Sequence, residues 1–181
     1  MHAYSRSYIR ICWSNPDWVD RFIELGIRDA ADYFYNWIHH GRFKLRNDRM
    51  DRYEAAFYLI RSVLSDEVIK SYNRLPVMYR GMEFTAAQLD KLYNGGISIK
   101  SKIMSWTPDK RTAKGYVFQG HSRGVILRHQ PREQEVVLSM NKETMSFLHI
   151  PRKFVIANPG ETILSLPILK ITPDMVDEIL K

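Results

Sequence analysis

The spacing of apolar and polar positions changes character once along the chain, at Pro76. Ahead of it, Trp18, Phe22, Ile23, Leu25, Ile27, Ala30, Phe34, Trp37 and Ile38 recur mostly at helical intervals between 16 and 39, and Gly26 interrupts them as a break between two helices. A second helical stretch covers about 49–72, with Tyr53, Ala56, Phe57, Ile60, Val63 and Leu64 on one face and a restart at Ser65-Asp66. The first 75 residues therefore predict a helical layer. Beyond Pro76 the pattern predicts strands over Val77 to Arg80, Ile97 to Ser105, Gly124 to His129, Gln134 to Ser139 and Met145 to Ile150. It also predicts a hairpin from Lys153 to Ser165 turning on Asn158-Pro159-Gly160. A helix follows Thr85, where Gln88 completes a capping box and Gly95 ends the run; another spans 108–117, capped by Thr107 with Pro108 at its first position. A last short helix is expected from Thr172-Pro173. Helices first and strands later predict an α+β fold with a largely antiparallel, twisted sheet, as one domain over 1–181 made of a helical part (1–75) and a mainly β core (76–181).

Composition agrees with a folded chain: 181 residues, 45% hydrophobic and 12% aromatic, suffice for a substantial core. The formal charge of +7 favours an acidic partner, whether nucleic acid, an acidic protein or a phosphate-bearing small molecule. Basic residues are denser at Arg42, Lys44, Arg46, Arg49 and Arg52 and again from Lys100 to Lys114, although Asp48 and Asp51 dilute the first group towards an ordinary solvated surface. A single cysteine, Cys12, rules out an internal disulfide and fits a reducing cytosol. No run approaches the roughly 20 apolar residues of a membrane span, and the N-terminus lacks a signal-peptide core, so a cytoplasmic protein without a membrane partner is expected.

Several chemistries have no motif. There is no P-loop, no GxGxxG, no HExxH and no Cys/His spacing, and the adjacent His39 and His40 diverge on a helix, so no metal is expected. Three short pieces remain, each at a predicted strand end. In VMYRG, Arg80 offers a planar cation for phosphate or carboxylate, and Gly81 lets a ligand approach the backbone. At Ser105-Trp106-Thr107 a strand turns into a helix, which places a hydroxyl at a sharp corner. In EQEVVL, strand alternation would send Glu133 and Glu135 to one side, close enough to repel unless a cation or hydroxyl settles them. Singly, each is common: an Arg paired at a surface, a helix cap, a solvated strand edge.

In the order Arg-Gly, Ser-x-Thr, Glu-x-Glu, these pieces resemble the Arg-Ser-Glu class of the mono-ADP-ribosyltransferase superfamily, which includes bacterial toxins, vertebrate ectoenzymes and phage enzymes. The resemblance covers about 76–150. It implies a two-sheet core of ADP-ribosyltransferase type, with NAD as substrate, and transfer of ADP-ribose to a protein side chain with release of nicotinamide. The implied NAD-contacting set is Arg80 on the phosphates, Gly81 on the carboxamide, Ser105, Trp106, Thr107, and Tyr116 or Phe118 packing on nicotinamide beside a closing loop of about 119–123. Ser105 would orient Glu135, the carboxylate facing the ribose cation. Glu133 would be the target-facing acid, and a Glu there is associated with arginine as acceptor.

The chain departs from the family's usual Ser-Thr-Ser at Trp106, and only His129, Gln130, Pro131 and Arg132 precede Glu133, where a longer target-recognising loop is usual. Glu161, in GETILSLP, is an alternative acid, but it lacks a second Glu two residues earlier. The same NAD site would serve an NAD glycohydrolase or a nucleic-acid ADP-ribosyltransferase, the latter aided by the basic charge. A noncatalytic basic binding module is the reading of another class. By family habit, such an enzyme would act in bacterial cytosol.

Overall fold

A computed structural model describes residues 16–40, 50–98, 103–117, 123–151, 158, 160–165 and 170–180. Helices α1 (Pro16–Glu24) and α2 (Arg28–His40) part where Gly26 adopts φ 71, a left-handed value that only glycine takes without a Cβ penalty. Helix α3 (Met50–Val63) packs on α2 through aromatic rings: Phe57 meets Trp37 edge-on with centroids 5.1 Å apart, and Tyr53 lies 5.8 Å from Trp37. Helix α4 (Asp66–Ser71) starts at Ser65, whose hydroxyl accepts the Val68 N–H. The helical reading of the first half thus holds, because each apolar stripe finds a partner helix.

The second half contains β1 (Met78–Phe84), α5 (Ala86–Tyr93), β2 (Ile103–Trp106), α6 (Lys110–Gly115), β3 (Arg123–His129), β4 (Val136–Ser139), α7 (Lys142–Phe147), β5 (Thr162–Ser165) and β6 (Val176–Ile179). The predicted capping box of Thr85 and Gln88 opens α5. The strands form two antiparallel sheets, ordered β1-β3-β6 and β2-β5-β4. Backbone bonds between Tyr79 and Thr107, 2.7 and 2.9 Å long, join the sheets at one point. The helical layer lies against the second sheet, where Arg61 of α3 donates to the Val136 carbonyl of β4 and stands over the Tyr72 ring. One apolar core runs through both halves, with Phe22, Phe57, Tyr72, Met104, Leu138 and Leu164 all buried. The architecture is α+β with two small antiparallel sheets, and among the described residues no helix is long and apolar enough to cross a membrane.

Four local expectations are corrected. The segment expected as a strand over Met145 to Ile150 is the last turn of a helix followed by a turn, because Asn141 caps α7 by accepting the Thr144 N–H at 2.9 Å. The helix expected from Thr172-Pro173 is a single 3-10 turn, Pro173–Met175, followed by β6, which is drawn out to pair with β3. Glu133–Glu135 is also a 3-10 turn, so the strand expected from Gln134 begins only at Val136. Asp109, not Thr107, caps the helix after β2, accepting the Arg111 N–H at 3.0 Å. The first arm of the expected hairpin (153–157), Pro159, Phe118 and the basic group 42–49 lie outside the described residues.

Gly81 has a packing role. A Cβ there would fall 2.2 Å from the Ala113 carbonyl oxygen and 2.6 Å from a Val117 methyl, so α6 lies directly on the β1 backbone. Backbone oxygen cannot step aside as a flexible side chain would. Gly81→Ala should therefore lose about 1–3 kcal/mol of stability, the usual cost of overpacking, read as a lower urea midpoint at unchanged slope.

Candidate functional site

The register of β5 decides which groups meet. On one flank β2 pairs Ser105 with Ile163 and Trp106 with Thr162. Strand alternation puts Ser105, Ile163 and the residue two before Ile163, Glu161, on one face, and Trp106 on the other. The Tyr79–Thr107 bridge then brings Arg80 of β1 beside the same corner, where its guanidinium donates to the Ser105 carbonyl. Arg80, Ser105 and Glu161 thus converge where the two sheets meet.

Glu161 is 7% exposed. Its Oε1 accepts two hydrogen bonds, from the Ser105 hydroxyl and, at 2.8 Å, from the Trp37 indole N–H of α2. No hydrogen bond to its Oε2 is formed among the described residues. The Ser105 hydroxyl in turn lies 3.5 Å from the Asn158 amide nitrogen, while Asn158 Oδ1, buried, has no hydrogen-bond partner among the described residues. Burial pushes the Glu161 carboxyl above the ordinary glutamate range, against the Ser105 and Trp37 hydrogen bonds and the Arg80 charge, which pull it down. A carboxylate that is desolvated yet supplied with donors and a nearby cation is suited to stabilising a positive charge that develops beside it.

The carboxylate expected beside Ser105 was Glu135, and this is corrected. Strand β4 runs antiparallel to β5, with Ser139 opposite Thr162 and Val136 opposite Leu164. The start of β4, and with it Glu135, therefore lies towards the far end of β5 from Glu161. Glu135 folds back on its own turn: Oε2 accepts the Arg132 N–H at 2.9 Å and lies 2.7 Å from His129 Nε2. Glu133 accepts from the Asn73 amide at 2.7 Å, so the expected side-by-side pair on one strand does not form.

The remaining expected contacts divide. Trp106, 1% exposed, belongs to the core on the opposite face, its ring centroid 6.1 Å from that of His129. Thr107 is buried too; its backbone pairs with Tyr79 and its hydroxyl accepts the Asp109 N–H. Gly81 faces α6 rather than an open approach. Tyr116, at the end of α6, is 40% exposed. Burial raises its phenol pKa, and the nearby Glu161 charge adds to that rise, which places the ring within electrostatic reach of the carboxylate. Phe118 is outside the described residues, as is most of the loop expected to close over a ligand.

Two contributors were not singled out from sequence, Trp37 and Asn158. Trp37 occupied an ordinary core position of a helical stripe; the available signal was its indole N–H, which needs an acceptor when buried. Among the described residues no group of three or more His, Cys, Asp or Glu side chains could hold a metal ion. Comparison with protein-family models, with curated proteins and with solved structures gave no match to this chain.

The raised Glu161 pKa fixes the sign of a pH effect. In acid the carboxyl is protonated both folded and unfolded; as pH rises the unfolded chain ionises first, and the folded state loses stability up to its own higher pKa. Glu161→Gln keeps an acceptor for Trp37 and Ser105 without that charge. The variant should match the parent at low pH and gain on it as pH rises, giving the higher Tm at neutral pH. A variant less stable at neutral than at acid pH, relative to the parent, contradicts this electrostatic account.

Proposed function

We propose that the protein cleaves NAD at the bond between ribose C1 and the nicotinamide nitrogen and passes the ADP-ribose to an acceptor, as an enzyme of ADP-ribosyltransferase type. The observation that carries this reading is the meeting of Arg80, Ser105 and Glu161 at the junction of two antiparallel sheets, in the sequence order that the resemblance implies. Glu161 takes the part first expected of Glu135. Its Oε2 stabilises the oxocarbenium-like ribose as the bonding pair leaves with nicotinamide. Ser105 fixes the carboxylate through Oε1. Arg80 supplies positive charge for the pyrophosphate, and Tyr116 offers an aromatic face near the leaving group. The nucleophile then bonds to C1 and gives up its proton to solvent water.

The expected arginine acceptor depended on Glu133 standing beside the catalytic acid, and Glu133 is instead bonded to Asn73. The residue two positions ahead of Glu161 is Pro159, which carries no acid to deprotonate an incoming side chain. That residue favours a second reading on the same site, transfer to water as an NAD glycohydrolase. A macromolecular acceptor, protein or nucleic acid, remains part of the proposal, and the charge of +7 suits an acidic one.

The test is release of nicotinamide from labelled NAD, alone and with cell lysate, with the label then sought on protein, on nucleic acid and in free ADP-ribose. Glu161→Gln should slow release by about 100-fold or more, the scale of losing a charge-stabilising group, while the fold persists. Glu135→Gln should leave release within about twofold while costing about 1–3 kcal/mol of stability through the His129 and Arg132 contacts. Equal activity of parent and Glu161→Gln removes the proposed role of Glu161. No release by the parent favours a noncatalytic binding module.

A further inference from the structure

We propose that Trp37, in the helical layer, is a positioning residue for Glu161, holding its carboxylate in the orientation and charge state that the NAD chemistry needs. The inference rests on the function proposed above but stands on its own geometry. Two donors converge on one carboxylate oxygen, and they come from different parts of the fold: Ser105 from β2 and Trp37 from α2, 124 residues away from Glu161. A carboxylate held by one hydroxyl can still rotate about its last torsion. Held at Oε1 by two donors it cannot do so without breaking a hydrogen bond, and Oε2 is left facing away from both.

Trp37 is itself immobilised. It is 2% exposed and wedged between Phe57 and Tyr53 of α3, so its N–H vector is set by ring packing. It is too buried to touch a substrate, and its effect must pass through Glu161. The groups bonded to the carboxyl are Ser105 from β2 and Trp37 from α2, and the charged or titratable groups within electrostatic reach of it are Arg80 of β1 and the Tyr116 phenol at the end of α6. Of these, the indole N–H and the Ser105 hydroxyl bond to the charged form directly and favour it over the protonated form. Removing the indole N–H while keeping an aromatic ring should push the carboxyl further up and loosen it.

Two measurements test this. In the unmutated protein labelled with ¹⁵N at indole, the Trp37 N–H signal should move with pH as Glu161 titrates and shift in Glu161→Gln. A signal that responds to neither overturns the inference, whether or not any enzymatic activity exists. Trp37→Phe keeps the ring against Phe57 and Tyr53. It should lower kcat for nicotinamide release about tenfold or more, in line with loss of a positioned charge-assisted bond. The KM for NAD should stay within about twofold, because Trp37 does not reach the ligand. The acid limb of the pH profile should move to higher pH. A fall in kcat without movement of the acid limb means that Trp37 is only packing, and so does an unchanged kcat. If the parent releases no nicotinamide, the NAD reading fails while the indole measurement still decides the contact.

Discussion

The register of β5 against its two neighbours is the constraint on which the rest of the site depends. With Ser105 opposite Ile163, Glu161 lies diagonally across the strand pair from Ser105 and on the same face. A slip by one residue would send the carboxylate to the other face, among the core side chains around Trp106. The same strand pairs with β4 on its other edge, and the antiparallel direction of that pairing keeps Glu135 away from Glu161. One short strand, Thr162–Ser165, therefore chooses between two acidic residues that each precede an apolar run.

Around that register the site is assembled from distant parts. The Tyr79–Thr107 backbone pair fastens the two sheets and brings Arg80 to the Ser105 corner; α6 lies on Gly81 and carries Tyr116; α2 supplies the indole N–H. Lys110 and Lys114 of α6 are ion-paired with Asp177 and Glu178 of β6, which ties the helix to the edge of the first sheet. A carboxylate taken out of water in this setting is held by donors whose own positions are set by packing, the arrangement that makes an electrostatic site stiff.

Local signals in the chain were reliable where a short-range interaction decides the structure. Gly26 split α1 from α2 because a left-handed turn suits glycine, Ser65 restarted the next helix by capping it, and Thr85 with Gln88 opened α5 through a reciprocal cap. Three of the four local failures share one cause, side chains bonding back to nearby backbone in ways that alternation cannot register, whereas the expected C-terminal helix gave way to the pairing of β6 with β3. Asn141 turned a predicted strand into α7, and Glu135 bonded the Arg132 N–H, which made EQE a turn instead of a strand edge. Arg80 and Ser105 were legible as site candidates from their side-chain chemistry, although β1 runs on to Phe84 and leaves Arg80 inside the strand instead of at its expected end. Glu161 was visible as an alternative acid but could not be preferred, because strand partners are not written in either strand alone.

The amino-acid sequence by itself determined the α+β class, the order of helices before strands, and the two helix breaks and caps named above. These follow from interactions spanning a few residues, or from the periodicity of burial. Only the tertiary structure decided which carboxylate faces Ser105, that Trp106 and Thr107 belong to the core and the sheet junction, and that a tryptophan of the helical layer donates to Glu161. Those outcomes depend on strand register and on contacts between residues more than 50 positions apart, such as Ser105 with Glu161 and Trp37 with Glu161. Such contacts are fixed by the joint packing of the core and leave no mark in the pattern of any one segment.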